Sequence, residues 1–175
     1  MEPELRKRFE SVRLFLCDVD GILTETSVWM GGTDELKRFN IQDGLGLRLL
    51  QQEGIKVGWI SNRPSFATVA RANDLKIDFL QQNHDGNKVN GVAEILKQTG
   101  LEWSHICYMG DDIVDLGALK RAGLAVTVPN AIAEAKKLAH YVTTLEGGHG
   151  AVREVIDLIL KAQGKWQKLV DFFTQ

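Results

Sequence analysis

Leu14-Phe15-Leu16-Cys17-Asp18-Val19-Asp20-Gly21 decides how the rest of this chain is read. Four apolar residues run directly into two acids and a glycine. A run this short does not make a helix and reads as a strand. Residues two apart in an extended chain point the same way, so Asp18 and Asp20 are expected to converge at the strand's carboxyl end. Gly21 permits a sharp turn there. Two carboxylates held together repel unless a cation sits between them or one keeps its proton. Hard oxygen ligands suit Mg²⁺, which takes a few carboxylates plus waters and substrate phosphate. The alternative for the same residues is a solvated turn or a helix cap.

Outward from this segment, short apolar runs at 56–60, 77–80, 105–109, 124–128 and 141–143 alternate with amphipathic stretches. Helices are expected near 44–53, 65–73, 87–98, 114–121, 131–139 and 151–163. The alternation predicts βαβ units and an α/β fold: a doubly wound, mostly parallel, Rossmann-like sheet with helices on both faces. Such sheets bind ligands at the carboxyl ends of their strands, at a topological switch point. The segment 24–40 breaks the rhythm. Gly31-Gly32-Thr33-Asp34 is turn material between two extended arms, which predicts an inserted β-hairpin that must pack on something to be stable. A helical tail is expected at 164–175, where Trp166, Leu169, Val170, Phe172 and Phe173 are spaced as on a helix face. It serves either the core or a subunit contact. The 175 residues show no linker and suit a single domain.

Composition narrows the function. With Lys+Arg 21 against Asp+Glu 23, the net charge of -2 offers nothing to a polyanion, which argues against nucleic-acid binding. Two cysteines, Cys17 and Cys107, both lie in apolar runs and read as packed thiols rather than a disulfide or zinc framework. The opening MEPELRKRFESVR lacks the apolar core of a signal peptide, and no run reaches the roughly 18 residues of a membrane helix. The expectation is a cytoplasmic protein with no membrane partner.

The polar residues directly after the apolar runs are the candidates for chemistry. Gly110-Asp111-Asp112 and Asp115 place three acids within five positions. Helix capping explains one aspartate comfortably and three poorly. Two acidic strand ends in one parallel sheet can meet at a crevice and complete a metal site. Ser61-Asn62-Arg63-Pro64 offers a hydroxyl and backbone N–H groups to phosphate oxygens, or else a helix cap with Pro64 in the first turn. Lys88, in His84-Asp85-Gly86-Asn87-Lys88, is either a solvated surface lysine or a compact charge for a phosphate and an aspartate. Glu146-Gly147-Gly148-His149-Gly150, with Arg153 beyond it, is either an anion-approaching loop or a flexible one. The four histidines have no metal-ligand spacing, and Trp29, Trp59, Trp103 and Trp166 read as packing residues, with Trp29 on the hairpin the exception to watch.

Taken in order, Asp18-Val19-Asp20-Gly21, Ser61, Lys88 and Gly110-Asp111-Asp112 with Asp115 resemble the four motifs of the haloacid dehalogenase superfamily of phosphohydrolases. Across about residues 11–160, DVDGILTETSVWM, ELKRFNIQDGLGLRLLQQEGIKV, GDDIVDL and GGHGAVREV resemble its capless subfamily. That subfamily hydrolyses phosphorylated 2-keto-3-deoxy sugar acids such as octulosonate 8-phosphates, with nonulosonate 9-phosphate phosphatases among the relatives. The resemblance implies Asp18 as nucleophile through an aspartyl-phosphate and Asp20 as general acid and then base. It implies Mg²⁺ on Asp18, the Asp20 backbone carbonyl and Asp111, with Asp112 and Asp115 supporting. It assigns Ser61, Asn62 and Lys88 to the phosphate, and Arg63, Gln42 and Arg153 to the substrate. It also implies a homotetramer in which the hairpin helps close a neighbour's site.

Two departures leave the sugar acid open. The octulosonate enzymes carry N-V-R-D-G where this chain has Asn40-Ile41-Gln42-Asp43-Gly44, and T-G-R where it has Ser61-Asn62-Arg63. The alternatives are therefore a nonulosonate 9-phosphate phosphatase or a catalytically idle member used for oligomerisation. A phospho-accepting receiver domain fits less well, because its acceptor aspartate follows a later strand and here those strands end in Ser61 and Gln81.

Overall fold

The computed structural model describes residues 1–31, 34–82, 86 and 88–175. Along the chain run α1 (Pro3–Ser11), β1 (Leu14–Cys17), β2 (Trp29–Gly31), β3 (Asp34–Leu36), α2 (Ile41–Gln52), β4 (Lys56–Ser61), α3 (Phe66–Leu75) and β5 (Phe79–Gln82). Then follow α4 (Lys88–Thr99), β6 (Ile106–Met109), α5 (Leu116–Leu119), β7 (Leu124–Thr127), α6 (Ala133–Leu138), β8 (Tyr141–Val142), α7 (Ala151–Ala162) and α8 (Trp166–Phe173).

Six strands form one parallel sheet in the order β5-β4-β1-β6-β7-β8, the doubly wound arrangement expected from the alternation. β1 is central, paired with β4 on one side and β6 on the other, and each of its residues is fully buried. Helices cover both faces. α7 packs against α1 and α2, burying Val152, Val155, Ile156, Ile159 and Leu160 as one amphipathic stripe. α4, α5 and α6 pack in succession on the other face. Cys17 and Cys107 are buried free thiols, as their apolar settings predict.

The hairpin is present but short. β2 and β3 pair antiparallel, Trp29 opposite Leu36 and Met30 opposite Glu35, as a separate two-stranded sheet. Of its expected turn, Gly32 and Thr33 lie outside the described residues, as do His84, Asp85 and Asn87 ahead of α4.

Three local differences have physical causes. α1 occupies a stretch whose charge conceals a helix. Its signals are Pro3 at the start, Glu4 in the first turn, Arg8 in the last, and Phe9 as its buried anchor. β5 begins two residues later than the apolar run, because the Ile77 N–H bonds the Ala72 carbonyl at 2.9 Å after the left-handed Lys76 ends α3. The helix cap near Pro64 is Ser65, whose hydroxyl accepts from the Thr68 N–H at 3.4 Å; Ser61 closes β4. Among the described residues, no helix is long and apolar enough to cross a membrane.

Candidate active site

The sheet order places its switch point between β1 and β6, since the chain leaves β1 toward β4 and β5 and then returns to β6 on the opposite side. The residues that leave these two strands therefore meet. Asp18 follows β1 directly, and its N–H continues the ladder to the Met109 carbonyl at 2.9 Å. Asp111 lies just beyond β6, and Asp115 ends a single 3₁₀ turn, Ile113–Asp115, capped by Asp112. One carboxylate oxygen from each of Asp18, Asp111 and Asp115 lies within 4.8 Å of the others, and all three residues are buried.

Lys88, at the start of α4, is 2% exposed and reaches into this group. Its Nζ lies 2.7 Å from Asp18 Oδ1 and 2.8 Å from Asp115 Oδ1. Asp115 is saturated: Oδ1 also accepts from the Tyr108 hydroxyl at 2.7 Å, and Oδ2 from the Asp111 and Asp112 N–H groups at 3.1 and 3.2 Å. It braces the loop and the lysine. Asp111, by contrast, has a buried Oδ1 with no hydrogen-bond partner among the described residues. Among the described residues, these three carboxylates, fully ionised, against one ammonium leave the group with a charge of minus two.

The titration of these groups reflects that imbalance. Burial first, and then the Asp115 charge, push the Asp18 carboxyl up to about 8, against the pull of Lys88. Burial and Asp115 likewise push Asp111 up to about 7. Burial works against the Lys88 ammonium, yet Asp18 and Asp115 carry it above the ordinary lysine value. An orphaned buried carboxylate oxygen, a deficit of two charges and an all-oxygen donor set fit a hard divalent cation on Asp18 and Asp111. Gly21 makes room for this: at φ +102° it adopts a conformation natural to glycine, and a Cβ there would run into the Asp111 carboxylate.

A carboxyl whose folded pKa is raised favours the native state while protonated, so that contribution is present at low pH and lost as pH climbs toward 8. Cation binding needs both acids ionised and releases their protons. The rise in Tm produced by Mg²⁺ should therefore be larger at pH 8.5 than at pH 5.5, with proton release detectable by calorimetry in two buffers. Equal Mg²⁺ stabilisation at both pH values would contradict this.

The other sequence candidates are distributed as follows. Asp20 does not join the acidic group. The chain turns after Asp18, so alternation no longer aligns the two side chains, and Asp20 Oδ1 instead accepts from Lys37 Nζ at 2.6 Å. Ser61 is 1% exposed, with its Oγ accepting from the Arg63 N–H at 3.0 Å. The Asn62 amide nitrogen is buried without a partner among the described residues. The Arg63 guanidinium pairs with Glu35 of the hairpin. Gln42 is exposed in the first turn of α2, its N–H donating to the Asn40 side chain at 2.7 Å. Arg153 donates from Nε to Asp157 at 2.6 Å and lies over the Trp166 ring at 5.8 Å. Asp112 spends a carboxylate oxygen on the Ile113 N–H.

The glycine-rich loop packs backbone to backbone against the turn after β1. The Gly148 N–H donates to the Ile22 carbonyl at 2.9 Å, and a Cβ at Gly147 would strike the Gly21 carbonyl. Tyr108, Glu35 and Lys37 were not singled out from the sequence. Tyr108 was counted within an apolar run. Glu35 and Lys37 carry a usable signal: opposite charges two apart in an extended arm share a face.

A parallel sheet of this order, with acids and a lysine gathered at its switch point, is suited to holding a divalent cation beside a phosphoryl group. A family model for haloacid dehalogenase-like hydrolases matches residues 60–156, and the chain belongs to that family. Among the proteins it resembles are phosphatases of 3-deoxy-D-manno-octulosonate 8-phosphate. The 3-deoxy-D-manno-octulosonate 8-phosphate phosphatase KdsC of Yersinia pestis is 40% identical over 160 residues, 91% of this chain and 85% of that protein. A crystal structure of the 3-deoxy-D-manno-octulosonate 8-phosphate phosphatase of Moraxella catarrhalis, in complex with magnesium ion, phosphate ion and KDO, superposes with a TM-score of 0.95 at 38% identity, covering 99% of each chain. The cobalt-bound phosphatase of Haemophilus influenzae superposes with a TM-score of 0.91 at 32% identity, covering 96% of this chain and 99% of that one.

Proposed function

We propose that this chain is a Mg²⁺-dependent phosphatase of a 2-keto-3-deoxy sugar-acid phosphate, of the octulosonate 8-phosphate type, working in the cytoplasm. The observation that carries this reading is the convergence of Asp18, Asp111 and Asp115, with Lys88 bonded to Asp18 and Asp115 and, among the described residues, two charges unmatched when the acids are ionised. Relatives matched over most of their own length, phosphatases by name, support the substrate class.

In this mechanism an Asp18 oxygen attacks phosphorus in line. The bond from Asp18 to phosphorus forms as the ester P–O bond breaks, and the departing alkoxide takes the proton of Asp20. Asp20, now ionised, removes a proton from water. The water oxygen bonds phosphorus, the acyl-phosphate bond breaks, and Asp18 is restored with inorganic phosphate released. Mg²⁺, on Asp18, Asp111 and the Asp20 carbonyl, supplies positive charge to the phosphoryl oxygens and to the nucleophile. Lys88 adds a fixed ammonium on the same side, and Ser61 and Asn62 add donors. Asp115 holds Lys88 and the loop of Asp111 and Asp112 in place. Arg63 reaches a substrate carboxylate by exchanging Glu35 for it. Gln42, at the α2 start, bears on the sugar, and Arg153 would have to release Asp157 to do so. We read the exposed Trp29, Met30 and Leu36 of the hairpin as the apolar contact of a homotetramer.

The test is a turnover screen with eight- and nine-carbon 2-keto-3-deoxy acid phosphates. Chelation should abolish phosphate release and Mg²⁺ restore it. The reading expects the eight-carbon ester to give the higher kcat/KM; preference for the nine-carbon ester would shift the assignment to the nonulosonate, which Gln42 in place of arginine makes the specific alternative. Mg²⁺ binding with no hydrolysis of either would mark an idle member.

A further inference from the structure

Lys37 is the least expected charge in the molecule. It follows β3 on the hairpin, yet its side chain is only 1% exposed. Long charged side chains are rarely buried unless paired, because the desolvation cost is large. Its Nζ lies 2.6 Å from Asp20 Oδ1 and 3.4 Å from Glu35 Oε1, and Arg63 pairs with Glu35 in turn. Charges therefore alternate from Asp20 through Lys37 and Glu35 to Arg63, tying the turn after β1, the hairpin and the loop after β4 into one chain. Asp20 itself is 29% exposed and, among the described residues, Lys37 is the side chain bonded to it.

A carboxyl that must deliver a proton to one oxygen has strict positional needs; a displacement of about 1 Å can cost roughly 10²-fold in rate. A half-open aspartate on a turn has several rotamers, and a buried ammonium on one of its oxygens selects among them. We infer that Lys37 is the positioning residue for Asp20: it fixes the carboxyl that protonates the leaving oxygen, and it couples that carboxyl through Glu35 to Arg63. This rests on the reading of Asp20 as the acid. The step served is the first one above, in which the P–O bond breaks and its electron pair takes the Asp20 proton.

Leaving groups separate this role from a structural one. A sugar alkoxide needs the proton, whereas p-nitrophenolate departs without one. The experiment measures first-turnover release of the alcohol, with Mg²⁺ present, from an eight-carbon 2-keto-3-deoxy acid phosphate and from p-nitrophenyl phosphate. Lys37→Met should slow sugar release by about 10²-fold while p-nitrophenol release stays within about threefold. KM should change little, and Lys37→Arg should recover much of the loss. Should Lys37→Met not fold, Lys37→Gln is compared in the same way. Asp20→Asn is the control and should show the same selectivity more strongly. If Asp20→Asn discriminates between the esters while the Lys37 variants slow both equally or neither, the role of Lys37 is overturned and the acid stands. If Asp20→Asn slows both esters equally, the acid is misassigned and the inference about Lys37 falls with it.

Discussion

Asp18→Asn should lower turnover by on the order of 10⁴-fold or more and at the same time raise the thermal stability of the Mg²⁺-free protein. Loss of a nucleophile from an assembled catalytic group typically removes most of the chemical rate enhancement. Asparagine is nearly isosteric, and its amide oxygen can still accept from the Val19 N–H and from Lys88, which bond Asp18 Oδ1 at 2.6 and 2.7 Å. What it removes is one of the buried acids that share a single ammonium. Asp18 is pushed up to about 8, chiefly by burial, so near neutral pH the fold bears the cost of holding it. Relief of about 2 kcal/mol would raise Tm by roughly 4–8 °C in a chain of this size. The gain should be fullest above about pH 8 and shrink as pH falls toward the ordinary carboxylate range, where the unfolded chain takes up the same proton. Residual turnover above about 1% of the parent in a folded variant would remove Asp18 from the nucleophile's place.

Lys88→Met carries the second large effect, of opposite sign. Lys88 is 2% exposed and is the ammonium that bridges Asp18 and Asp115. Removing one member of a buried ion group leaves the others uncompensated, at a cost of about 3–5 kcal/mol, or roughly 6–20 °C in Tm. The sign of its pH dependence follows from a folded pKa above the ordinary 10.5: the lysine's contribution is complete at neutral pH and is lost only as pH rises through that higher value. The deficit of the variant should therefore be full at pH 8 and smaller at pH 5, where Asp18 and Asp111 take up protons. Mg²⁺ should recover part of it, because a cation on the acids replaces some of the lost charge. A melting curve within about 2 °C of the parent at pH 8 without Mg²⁺ would show that the acids do not depend on Lys88.

The parts legible in the sequence are those set by local chemistry. Apolar runs of three to five residues between amphipathic stretches read directly as strands, and β1, β4, β6, β7 and β8 lie where those runs lie. Asp18, Lys88, Asp111 and Asp115, which the structure brings together, were legible because each lies just beyond a strand or at a helix start, and a parallel sheet brings such ends together. Less legible was anything decided by contact between distant segments. α1 is held by Phe9 in a core it does not itself contain. The backbone contact of Gly147 and Gly148 with the turn after β1 depends on a loop more than 120 residues away. Arg153 looked available to an anion until α7 gave it Asp157 one turn on and α8 brought Trp166 over it. Lys37 escaped notice because its partner Asp20 lies across a turn, where alternation no longer reports which way a side chain faces.

In the proposed mechanism Asp18 briefly holds the phosphoryl group. The stereochemical course at phosphorus tests it directly, using a substrate made chiral with oxygen isotopes and water carrying the third. Attack by Asp18 followed by attack by water is two in-line displacements and predicts net retention of configuration; inversion would mean a single direct attack by water and would contradict the account.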